Sequence, residues 1–170
     1  MDNLLYGYRL LCLNEALHKK VGEGKSTYYD NFKEIWDEVL VSLEILYLLE
    51  LAKVFDKQNP RFDRIICIHD FFDPYLGLKG SKRKISKIIK LRHKAIAHTD
   101  QSTARNLQRF FKKLEWKHAD ARPLFEKTIN LLNHFANLNN LGKDLKSRFE
   151  EVNSHMQEEV GRFVEYSDRD

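Results

Sequence analysis

VLVSLEILYLLELAKVF, residues 39–55, is the most apolar run of the chain, and its reading decides the fold. Glu44, Glu50 and Lys53 interrupt it. Charges at those depths would be costly in a bilayer, so the run reads as a core helix and not a membrane span. Extended toward the N-terminus, Phe32, Ile35, Trp36, Val39, Leu43, Leu46, Tyr47 and Leu51 follow steps of three and four, the period of a helix and not of a strand. A cap at Thr27 and Asp30 would start this helix, and it would run to about Asp56.

The rest of the chain agrees with a helical reading. Pro and Gly number only 3 and 7 in 170 residues, which disfavours a turn-rich β fold. A first helix is expected from Asp2 to about Lys20, ended by GEGKST, with Leu4, Tyr8, Leu11, Cys12 and Leu17 near one face. A shorter one, FDRIICIHDFF, would stop near Pro74. Ser81 would cap SKRKISKIIKLRHKAIA, in which Ile85, Ile88, Ile89, Ala95 and Ile96 can face the core. TDQST separates that helix from ARNLQRFFKKLEW, which starts near Ser102. Over the last fifty residues a stripe of Leu124, Leu131, Phe135, Leu138, Leu141, Leu145, Phe149, Val152, Met156, Val160 and Phe163 suits a bundle helix pair, with a bend at Gly142. The expectation is an all-α antiparallel bundle of about five to six helices, one domain over residues 1–166 with a short polar tail at 167–170.

Cys12 and Cys67 lie far apart in apolar stretches, without a C-x-x-C motif, and read as reduced core residues. MDNLLYGYRLLCLNEALHKK lacks the positive-then-apolar order of a signal peptide. A cytoplasmic protein without a membrane partner is expected.

Charge is unevenly distributed. Residues 79–113 hold twelve Lys or Arg and one acid, Asp100, so this segment is at +11 while the whole chain is at +4 and the remainder therefore at −7. Segregation of this kind points to a polyanion-binding face on an acidic body. Lys82, Arg83, Lys84, Lys87, Lys90, Lys94, Arg105 and Arg109 are the candidate phosphate contacts. Phe110 and Phe111 beside Lys112 and Lys113 could stack on bases, though core packing is the commoner fate of such a pair.

Within the basic segment stands LRHKAIAHTD, residues 91–100. RNA cleavage without a metal needs a group titrating near neutral pH for the ribose 2′-hydroxyl and a cation where charge develops on phosphate. His98 and Arg92 are of those types. Six positions on one ideal helix would leave them about 120° apart, so they converge only where the helix ends between them or where a second chain contributes its copy. Arg64 to His69 and Arg148 to His155 have similar spacing, but the first pair flanks an apolar run and the second lies among Glu150, Glu151, Glu158 and Glu159.

Arg92, His93 and His98 in RHKAIAHTD, with the preceding basic helix and LAKVFDKQ before it, resemble the HEPN superfamily in its abortive-infection branch. That family's signature is an Arg, four to six residues, then a His, with a polar residue commonly after the Arg. The resemblance implies a helical homodimer whose two motifs form one composite site. The activity it implies is a metal-independent endoribonuclease of toxin or antiviral-defence type, leaving 2′,3′-cyclic phosphate, with no cofactor. Arg92 would stabilise the phosphate, His98 would serve as general base or acid, and His93 would support the site. An antitoxin or regulatory protein is a further expected partner.

Two rival readings remain. One is a catalytically silent HEPN-like module that binds nucleic acid, a nucleotide or a toxin or antitoxin partner. The other is a metal phosphohydrolase built on His69, Asp70 and Asp73 of HDFFD, which would need further His and Asp ligands, and neither His18 nor His134 has a convincing local signature. No metal site is expected.

Overall fold

In the computed structural model the described residues are 2–22, 30–56, 78, 80–97, 116–139 and 144–167, with backbone alone at 21, 94–97 and 166–167. They form five α-helices: α1 (Asp2–Gly22), α2 (Lys33–Phe55), α3 (Lys82–Ala97), α4 (Ala121–Leu138) and α5 (Leu145–Ser167). A 3₁₀ turn at His118–Asp120 leads into α4. Among the described residues there is no strand, and no helix is long and apolar enough to cross a membrane. The fold is an all-α bundle, as its composition and periodicity require.

Packing is organised around α1. Its Asn14 Nδ2 donates to the Leu40 carbonyl of α2 at 2.8 Å, and its Gly7 lies against Glu50. Residue numbers rise along α1 as they fall along α2, so the two helices are antiparallel. The start of α4 meets α1 in the same sense, with Arg122 at Cys12 and Glu15 and Phe125 at Gly7. α5 returns antiparallel to α4. Tyr8 meets Phe149 with ring centroids 5.2 Å apart, and Ala16 and Leu17 share a cluster with Val160 and Val164. α1 and α5 therefore run side by side in one direction, because α5 follows α4 back along the bundle.

The main core holds Leu4, Leu11, Tyr47, Leu48, Leu51, Phe55, Ile85, Ile88, Leu91, Leu124 and Phe125, among others. The Phe125 ring lies 5.9 Å from Tyr8 and 6.3 Å from Tyr47, in the tilted and edge-on geometries that aromatic quadrupoles favour. Cys12 is a free, buried thiol, as expected; Cys67 lies outside the described residues.

Several helix details differ from expectation. The apolar positions of α2 divide into two groups. Leu40, Tyr47, Leu48, Leu51, Ala52 and Phe55 are buried, whereas Ile35 (60% exposed), Val39 and Leu46 face outward on the opposite side. The terminal stripe is also divided, because α4 ends at Leu138 and α5 begins at Leu145. Leu138 is 69% and Phe163 51% exposed; Leu141 and the Gly142 bend lie outside the described residues. Asp144 Oδ1 accepts from the Lys146 N–H at 3.0 Å and Asn133 Oδ1 from the Leu145 N–H at 2.9 Å, giving α5 side-chain caps that its first turn needs. At the start of α2 the residue before Lys33 is Phe32, which makes no side-chain cap bond; the expected Thr27 cap lies outside the described residues.

Gly7 sits where α1 and α2 approach most demandingly. A β-carbon there would stand 2.9 Å from Glu50 Cβ and 3.3 Å from a Phe125 ring carbon. Neither neighbour is a flexible side-chain end. Gly7→Ala is therefore expected to destabilise the fold by about 1–2 kcal/mol, the overpacking cost exceeding the roughly 1 kcal/mol of helix propensity that alanine supplies. Urea unfolding measures this; a gain in stability would show that α1 and α2 are not so closely apposed.

Candidate functional site

α3 is positioned by a turn that only glycine adopts easily. Gly80 has φ 77°, in the left-handed region. The Ser81 N–H donates to the Leu78 carbonyl at 2.9 Å, and the Ser81 carbonyl accepts from the Ile85 N–H at 2.9 Å, so the helix begins where its serine was expected. Ile85, Ile88 and Leu91 are buried on one face, which leaves Lys82, Arg83 and Lys90 exposed and Lys84 and Lys87 half-buried. Ile89 packs partly against the core. No acid lies in this helix. Lys84, one of the expected phosphate contacts, is engaged within the fold: its Nζ donates to Asp120 Oδ1 at 2.7 Å, tying α3 to the 3₁₀ turn.

Arg92 follows the buried Leu91 and turns toward the end of α2. There Asp56 takes an extended backbone conformation after Phe55, with its N–H on the Ala52 carbonyl. A carboxylate at a helix C-terminus opposes the helix dipole, and its side chain is only 12% exposed, so it requires a cation nearby. Arg92 provides one. Its Nη1 donates to Asp56 Oδ2, and His93 Nε2 meets the same oxygen at 3.0 Å. Arg92 is 19% exposed and His93 62% exposed. The Arg92 Nε is buried without a hydrogen-bond partner among the described residues. Two consecutive residues of α3 thus converge on one buried carboxylate at the end of a cationic helix.

The structure places the expected site residues unevenly. Arg92 and His93 are together. α3 is helical through Ala97, the last residue described before position 98. His98, Arg105 and Arg109 lie outside the described residues, as does the side chain of Lys94, and so do His69, Asp70 and Asp73 of the rival metal reading. Among the described residues no group of three or more His, Cys, Asp or Glu is arranged to hold a metal ion. Asp56 was not singled out from the sequence; its signal was an acid directly after the apolar run of α2, inside LAKVFDKQ.

Two further polar clusters were also missed. Arg122, on α4, donates through Nε to Glu15 at 2.7 Å, through Nη1 to the Tyr8 hydroxyl at 3.0 Å and through Nη2 to Asn153 at 3.1 Å. It ties α1, α4 and α5 together. Burial pushes the Tyr8 phenol up to about 12 and the Cys12 thiol up to about 11, so neither is an activated nucleophile.

The second cluster joins His18 (α1), Glu44 and Tyr47 (α2) and His118. The Tyr47 hydroxyl donates to Glu44 at 3.2 Å and accepts from His118 Nδ1 at 3.0 Å. The two imidazole rings lie 5.2 Å apart. The Glu44 carboxylate, 3.6 Å from the His118 Nδ1, raises this histidine above its ordinary 6.5, against the burial that opposes it. Burial, and then the charge of His118, lower His18 below the same value, while Glu44 and Asp37 act in the other direction. A raised histidine stabilises the fold fully below 6.5 and loses that contribution as pH rises through its folded value. A lowered one costs nothing above 6.5 and destabilises as pH falls below it, because the unfolded chain then binds the proton more readily. These two residues should therefore produce a stability maximum near pH 6.5. Urea midpoints across the pH range test this, with His118→Gln expected to flatten the alkaline limb and His18→Gln the acid limb.

Comparison of the chain with protein families, curated proteins and solved structures found no match in any of the three.

Proposed function

We propose that this chain is a HEPN-like endoribonuclease of toxin or antiviral-defence type. It would act in the cytoplasm as a homodimer and cut RNA without a metal or cofactor. The observation that carries this reading is the placement of Arg92 and His93 on Asp56 at the end of a helix whose solvent side is cationic and free of acids. RNA phosphates would track along α3, with Lys82, Arg83, Lys87, Lys90 and Lys94 in contact and Arg105 and Arg109 extending the field. Arg92 would stabilise the charge that develops on the scissile phosphate, and Asp56 would hold its fork in place. His98 from either subunit would exchange protons as general base or acid. An antitoxin or regulatory protein that covers this basic face would silence it.

A second reading has one observation in its favour. Arg92 is largely buried and already ion-paired, which suits a structural tether between α3 and α2. On that reading the chain is a catalytically silent module that binds nucleic acid, a nucleotide or a toxin or antitoxin partner.

Incubation of mixed-sequence RNA with purified protein in EDTA, wild type beside His98→Ala, separates the two. The ribonuclease reading predicts cleavage by the wild type, none by His98→Ala, and nearly equal RNA affinity. Absence of cleavage by a folded wild-type dimer would favour the silent module.

A further inference from the structure

We propose that His93 transfers protons in the cleavage reaction through Nδ1, and that Asp56 is the positioning residue that sets its tautomer. This rests on the ribonuclease reading above, and it gives His93 more than the supporting part that the motif implies. The geometry begins at Asp56 Oδ2, which meets His93 Nε2 at 3.0 Å. A carboxylate accepts and cannot donate, so Nε2 carries the hydrogen. In the neutral ring the lone pair is then left on Nδ1. The ring is 62% exposed while the Asp56 side chain is 12% exposed, so the anchored edge is inside and the ring remains open to a ligand from solvent. Among the described residues Asp56 is the ring's hydrogen-bond partner. An imidazole oriented through one nitrogen by a buried carboxylate, with the other nitrogen available, is the arrangement in which histidine works as a base and its cationic form is stabilised afterwards.

Arg92 fixes the place of the reaction. Its Nη1 shares the same carboxylate oxygen, so guanidinium and imidazole are separated by no more than two hydrogen bonds. A phosphate drawn to the Arg92 fork therefore has its ribose within reach of His93. The 2′-hydroxyl proton passes to Nδ1, the 2′-oxygen bonds to phosphorus, and the bond from phosphorus to the 5′-oxygen breaks. The departing 5′-oxygen takes a proton from His98, the acid proposed above, and water carries the proton on Nδ1 back to His98. The products are a 2′,3′-cyclic phosphate and a 5′-hydroxyl, and the ring returns to its starting form.

The test combines two readouts on the full-length protein. Long-range proton–nitrogen NMR of the ¹⁵N-histidine-labelled chain, at a pH where the ring is neutral, reads the His93 tautomer directly. The expected signal is Nε2–H in the wild type and a mixture in Asp56→Asn. Cleavage is then followed against pH for the wild type and for His93→Gln, which can still donate to Asp56 but cannot act as a base. His93→Gln should lose about 10²-fold in rate, flatten the pH profile and retain RNA affinity. An Nδ1–H tautomer in the wild type, or a His93→Gln variant with the wild-type rate and profile, would overturn the proposal. A wild type with the Nε2–H tautomer and no cleavage would overturn the ribonuclease reading and the proton-transfer role with it, while leaving Asp56 as the residue that sets the tautomer.

Discussion

Arg92→Ala is expected to lower RNA cleavage by about 10²–10³-fold, the effect of removing one preorganised donor from a developing oxyanion. It should also destabilise the fold. Asp56, 12% exposed at the C-terminal end of α2, would lose its counter-charge and remain beside a helix dipole of the wrong sign. Loss of one partner from a largely buried ion pair costs about 3 kcal/mol. The two effects can be separated. In the Arg92→Ala, Asp56→Asn double variant the orphaned charge is gone, so stability should recover in part while cleavage does not. Arg92→Lys should retain much of the stability and little of the rate, because an ammonium keeps the charge but not the fork. Initial rates on RNA and urea unfolding of the three variants measure both. Wild-type cleavage by Arg92→Ala would remove Arg92 from the site, and unchanged stability would show that Asp56 does not depend on it.

Phe125→Ala is the second large expectation. The ring is fully buried and lies against Tyr8, Tyr47 and the close contact at Gly7. It therefore joins α4 to both α1 and α2. Its neighbours cannot collapse into the space, since Tyr8 is held by Arg122 and Phe149 and Tyr47 by Glu44 and His118. A loss of about 3–5 kcal/mol follows, a large fraction of the roughly 5–15 kcal/mol that keeps an ordinary domain folded. Phe125→Leu should retain a large part of it. The midpoint of urea unfolding is the measurement, and a cost below about 1 kcal/mol would mean that α4 contributes little to the core.

The five described helices were legible in the sequence because their signals are local; those expected at FDRIICIHDFF and ARNLQRFFKKLEW lie outside the described residues. The charges within residues 39–55, the serine before the basic helix and the spacing of Ile85 and Ile88 all act within a few turns. What periodicity could not decide was which side of an apolar helix meets its partners. Ile35, Val39 and Leu46 have the same three-and-four spacing as Leu40, Tyr47 and Leu51, yet they lie on the opposite side of α2 and face outward. The stripe after Leu131 read as continuous because the break between α4 and α5 contains Leu141, in step with it.

For the candidate site, Arg92 was singled out by residue type and charge context, and His93 by the family resemblance. Asp56 was not, because it acts across 36 residues and its meaning depends on the end of α2 meeting α3. The His18 and His118 pair lies further from any local signature still, being brought together by the packing of the 3₁₀ turn against α1 and α2.

The central claim is that Arg92, His93 and Asp56 belong to a site that cuts RNA by attack of its own 2′-hydroxyl. The 3′ ends of fragments produced by the wild-type protein in EDTA test it most directly, read by mass spectrometry. Fragments that end in 2′,3′-cyclic phosphate, with 5′-hydroxyl partners, are the predicted result. Fragments that end in a 3′-hydroxyl, or intact RNA after incubation with a folded dimer, would contradict it.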